Sequence, residues 1–150
     1  RNPRTLNIKA LRAVLSVIDP KELLRRDTHG RVPLSLAIQH NASIEVLFML
    51  LNANRQATQI ADKHHNVPLH IACMKGCNLT VIRALLEEYP ATVHRRNFHD
   101  LTCIELCETC GKRGSSGGRY GDNYDDVINY LQKMTYGHLE GKNEDDLFTK

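Results

Sequence analysis

Apolar residues come in short bursts of helical period, separated by polar stretches rich in turn formers. Leu34, Ala37 and Ile38 fall on one face of a short helix, and Leu69, Ala72 and Cys73 repeat that face. Each burst is followed by a longer apolar run, Val46-Leu47-Phe48-Met49-Leu50-Leu51 and then Val81-Ile82-Arg83-Ala84-Leu85-Leu86. In the second run Val81, Ile82, Leu85 and Leu86 form the inner stripe. The pattern predicts an all-α protein whose unit is turn, short helix, turn, longer helix. Asp27-Thr28-His29-Gly30 reads as a tight turn in which Gly30 takes positive φ without penalty. Pro33 and Pro68 suit a first helical turn, where a missing N–H is no loss, and Gly76 ends a helix.

The units recur at a fixed interval. Val32-Pro33-Leu34-Ser35-Leu36-Ala37 and Val67-Pro68-Leu69-His70-Ile71-Ala72 stand 35 residues apart, and Thr102-Cys103-Ile104-Glu105-Leu106-Cys107 follows at the same spacing. Asp27, Asp62 and Asn97 keep step in front of them, and Arg25-Arg26 anticipates Arg95-Arg96. Leu11-Arg12-Ala13-Val14-Leu15 lies two periods before Val81, and Pro20 two periods before Pro90. Self-similarity at such a period is the mark of a stacked-repeat architecture. The elements Asp-x-x-Gly-x-x-Pro-Leu-x-x-Ala and Pro68-Leu69-His70-Ile71-Ala72-Cys73 resemble the ankyrin repeat. The resemblance runs from about residue 7 to 136, with Val67 where the family usually has Thr and a degraded last copy. It implies an ankyrin-repeat solenoid of stacked helix-turn-helix units, three to four in number.

The expected organisation is a capping helix or half repeat over residues 1–26, repeats at 27–61 and 62–96, a degenerate repeat at 97–136 and a polar tail at 137–150. Thr5 is expected to cap a first helix running from about Leu6 to Ile18, which is either a cap or the cut end of a longer array. In the last unit Gly111 ends the first helix on schedule. The second is expected late, at about Tyr124, with Val127, Ile128 and Leu131 inside. The intervening residues 112–122 are an insertion rich in Gly, Ser and Arg.

Composition adds little to this. No apolar run approaches the roughly 20 residues of a membrane helix, and a net charge of +3 neither demands nor excludes nucleic acid. Five cysteines, an odd number crowded between residues 73 and 110, argue against a secreted disulfide scaffold and for a reducing, intracellular compartment. Asn41-Ala-Ser43 and Asn78-Leu-Thr80 fit the glycosylation sequon, which matters only outside such a compartment.

Candidate chemistry is sparse. No nucleophile elbow, zinc-protease or phosphate-loop motif occurs, so no enzyme activity, catalytic residue or cofactor is expected. Cys103, Cys107 and Cys110 have helical spacing, and with His99 they would satisfy zinc by ligand count. Against this, Cys107 takes the small-residue core position of Ala37 and Ala72, which favours inert buried thiols and no metal. The resemblance gives His70 a structural role, tying neighbouring turns through backbone hydrogen bonds. It places partner binding on the turn tips and the exposed side of the first helices. Those positions are Thr28, His29, Arg31, Gln39 and His40, then Lys63, His64, Asn66, Met74 and Lys75, then Phe98, His99 and Leu101, with Thr109 and Cys110 beyond them. Met74, Phe98 and Leu101 are apolar anchors in a His- and Lys-rich strip that suits a protein partner of acidic or mixed surface. The function expected is therefore protein–protein recognition, as a scaffold, adaptor or small subunit. The alternatives are a nucleic-acid-associated protein using Arg25, Arg26, Arg95, Arg96 and the Gly-Arg insertion, or the regulatory segment of a longer enzyme or channel.

Overall fold

The computed structural model describes residues 3–111 and 123–137. Over these residues it is all-α, with helices α1 (Pro3–Val17), α2 (Pro33–Gln39), α3 (Ile44–Ala53), α4 (Pro68–Lys75), α5 (Leu79–Glu88), α6 (Cys103–Gly111) and α7 (Tyr124–Tyr136). The insertion at 112–122, whose Ser115 and Ser116 the sequence offers as modification sites, and the tail beyond Gly137 lie outside the described residues.

The helices pair as α2 with α3, α4 with α5 and α6 with α7, and the first helix of each pair stacks on the next, α2 on α4 on α6. Helix α1 packs on α3. Pro33 and Pro68 each open their helix, and Gly76 closes α4 in the left-handed conformation at φ 70°. Ser43 and Asn78, the two sequon residues nearest helix starts, cap α3 and α5 by accepting the amide hydrogens of Val46 and Val81. Leu34, Ile38, Leu69, Ala72, Cys73, Leu106 and Cys107 are buried between the layers, as are Val81, Ile82, Leu85 and Leu86 of α5. Ala37 is only half-buried. In α7, Val127 and Leu131 are buried and Ile128 is half-buried.

Two features depart from the expected outline. Helix α1 begins at Pro3, not after a Thr5 cap, because proline is preorganised for a first helical turn and needs no capped amide. After α1, α3 and α5 the chain also makes a short 3₁₀ turn, at Pro20–Leu24, Arg55–Gln59 and Pro90–His94. Asp19 and Asn54 cap the first two through their side chains. The turns also stitch successive units: the Asn54 amide donates to the Pro20 carbonyl at 2.7 Å, and Arg95 donates to the Gln59 carbonyl at 2.9 Å.

The turns in front of α2, α4 and α6 are built alike. Asp27, Asp62 and Asn97 each accept two backbone amides through one side-chain oxygen, from His29 and Arg31, His64 and Asn66, and His99 and Leu101. The fourth residue of each turn is left-handed: Gly30 at φ 78°, His65 at 60° and Asp100 at 58°. Consecutive turns are joined by main-chain bonds, Lys63 N–H to the His29 carbonyl at 3.0 Å and Phe98 N–H to the His64 carbonyl at 2.8 Å.

Candidate binding surface

These joined turns project their outer residues into solvent. Thr28, His29, Lys63, His64, His65, His99 and Phe98 are all exposed, and Phe98 is 70% exposed. Its ring is met edge-on by His65 and His99, at centroid distances of 6.3 and 5.9 Å. Packing on its neighbours therefore leaves most of the ring in water, which no core demand explains.

Beside the tips runs a groove of about 470 Å³, lined by His29, Arg31, Gln39, Asp62, His64, Asn66, Ile71, Met74 and Lys75. Seven of these belong to the strip predicted from sequence; Asp62 and Ile71 do not. The periodicity could have supplied Asp62, since it precedes His64 in the repeated turn, whereas Ile71 stood only as part of the repeat motif. His65, which stacks on Phe98, was readable as a tip residue but not as a neighbour of that ring. Of the remaining predicted positions, His40 and Thr109 are exposed, and Leu101 and Cys110 are half-buried.

Two predicted contact residues are committed inside the fold. Arg31 donates to both Asp27 through Nε and Nη2, at 2.9 and 2.7 Å, and to Gln39 at 2.7 Å. These bonds hold the Asp27 carboxyl far down, at about 2, chiefly through the Arg31 side chain. The guanidinium thus shapes the groove wall with its charge already matched. Asn66 is buried, accepting from Asn97 at 3.0 Å and donating to Asp62 at 3.4 Å.

His70 is fully buried, accepting the Val67 amide on Nδ1 at 3.2 Å and donating from Nε2 to the Arg95 carbonyl at 3.0 Å. Both ring nitrogens serve backbone, so the ring locks α4 to the chain entering the next turn.

Cys103 and Cys107 are buried against α4 beside Cys73, whose thiol is pushed up by burial. All five cysteines are unbridged. His99 sits out on a tip against Phe98, and among the described residues no three His, Cys, Asp or Glu side chains are arranged to hold a metal ion. A narrow apolar slit between α3 and α5 has room for only about 10 Å³, far below the size of a ligand pocket.

Two of the four ridge arginines are ion-paired. Arg25 pairs with Glu22 at 2.9 Å, and Arg96 lies 3.5 and 3.6 Å from Asp100 and Glu105. Arg95 is tied to the Gln59 carbonyl, as above. Phosphate reaching Arg25 or Arg96 would have to compete with those carboxylates.

Comparison with protein families matches the ankyrin repeat to residues 64–95 and finds no catalytic domain. Comparison with curated proteins finds no match. Among the described residues no helix is long and apolar enough to cross a membrane.

Proposed function

Since residues 64–95 form an ankyrin repeat, an element that generally mediates protein–protein interaction, we propose that this chain is a recognition module that binds a protein partner and carries out no catalysis of its own. The tips and the exposed sides of α2, α4 and α6 form its binding surface. The observation that carries this reading is the joined row of tips, with Phe98 held open beside a groove whose walls are side chains of two successive units. Interfaces draw their energy from a few such large side chains set on a rigid frame, and the stitched units supply the frame. The partner presents an acidic or mixed surface, and the buried, unbridged thiols favour a reducing compartment.

The test is capture of a partner by the full chain compared with the combined variant Phe98→Ala, His64→Ala and Lys75→Glu. Arg31 is left intact because its loss would disturb the Asp27 turn. Retained partner should fall by roughly tenfold or more, the scale of a hot-spot loss, with unchanged helical content by circular dichroism. Undiminished capture would move the site off the tips.

A further inference from the structure

Resting on that reading of the surface, we infer that the tip row docks an acidic, aspartate- or glutamate-rich segment of its partner, and takes up protons in doing so. Histidine recurs at the same place in each turn, His29, His64 and His99, and His65 adds a fourth. Half of the chain's eight histidines therefore stand on one exposed edge. The fixed charges around them cancel. Along the tips and groove the cations are Arg31, Lys63, Lys75 and Arg96, and the anions are Asp27, Asp62, Asp100 and Glu105, the last two lying 3.5 and 3.6 Å from Arg96. Arg31 is matched by Asp27 at 2.7 Å, and Asp62 Oδ1 is held by the amides of His64 and Asn66.

The sign of the surface is therefore set by the histidines, the side chains that change charge between pH 5 and 8. His29 faces the Asp27 carboxylate at 3.9 Å and the Arg31 guanidinium at 3.2 Å. His64 lines the groove with Arg31, Asp62 and Lys75. His65 and His99 flank the Phe98 ring, an uncharged neighbour, and Asp100 follows His99 in the chain. With the histidines neutral the strip has no net charge to offer an acidic segment. With them protonated it carries up to four more positive charges than carboxylates. A row of carboxylates laid along the tips favours the protonated form, so binding and proton uptake are linked.

The probe is a tetramethylrhodamine-labelled octa-aspartate peptide, titrated with the full chain by fluorescence anisotropy at pH 7.5 and 5.5 and constant ionic strength. Affinity should rise at least roughly tenfold on acidification, as for two histidines each stabilised in the charged form by about one pK unit, about fivefold apiece between these pH values. The rise should survive in His40→Gln/His94→Gln and vanish in His29→Gln/His64→Gln/His65→Asn/His99→Gln. Independently of any variant, calorimetry at pH 6.5 in buffers of different ionisation enthalpy should show about one proton or more taken up per peptide bound. Equal affinity at the two pH values, a rise that persists without the tip histidines, or no proton uptake would each overturn the inference. A partner captured through the tips with no pH dependence would leave the recognition reading standing and remove this one alone.

Discussion

Asp27, Asp62 and Asn97 do one job with different chemistry. Each folds its turn by accepting two amides, yet only Asp27 also holds a guanidinium, while Asn97 uses its amide to reach Asn66 in the preceding turn, a bond no carboxylate could donate. The charge on Asp27 has a consequence for acid stability. Its carboxyl lies at about 2 when folded against an ordinary 3.8, so it contributes stability above pH 3.8 that is lost as pH falls towards 2. Glu105, lowered chiefly by the Thr102 amide, acts in the same direction. Urea titrations across this window should show the loss in the natural chain, and a smaller one in Asp27→Asn. An identical pH profile in the two would mean the pair contributes nothing to folding.

At the scale of elements, most of the architecture was legible in the chain, because a 35-residue period repeats the apolar stripes, the opening prolines and the turn residues together. What was not legible has physical causes. The 3₁₀ turns leave little apolar pattern in five residues, although Pro20 and Pro90, each near a helix end, begin two of them. The internal commitment of Arg31 depends on Asp27 and Gln39 folding back upon it, which spacing alone does not reveal. The turn positions do follow from sequence at Gly30, but His65 and Asp100 take the same left-handed backbone against their preference. A Cβ on Gly30 would stand 3.0 Å from the Lys63 amide nitrogen, a backbone atom that cannot swing aside. Gly30→Ala should therefore cost about 1–2 kcal/mol, and His65→Gly should stabilise by up to about 1 kcal/mol. Thermal unfolding of both variants checks the pair, and an unchanged midpoint for Gly30→Ala would show that the turn relaxes.

At the scale of the whole molecule, the stack changes character along its length. His70 and Cys73 face α6 and are buried by it, whereas their counterparts one period later, Glu105 and Glu108, are half-buried and border an open groove of about 360 Å³ with Gln132 and Tyr136. This face thus carries two carboxylates where the preceding one carries His70 and Cys73, and charge on such a face opposes stacking end to end. Glu105→Leu/Glu108→Leu should make the chain self-associate with rising concentration in sedimentation velocity; a monomer at all concentrations would assign those carboxylates no such role. The bonds from Lys63 and Phe98 to the carbonyls of the preceding tips give this stack an internal clock. Amides at the apex of a solvent-exposed turn ordinarily trade hydrogen for deuterium almost at once, but these two can do so only when one tip parts from the next. Their exchange rates would therefore time the separation of neighbouring units from the most exposed edge of the molecule.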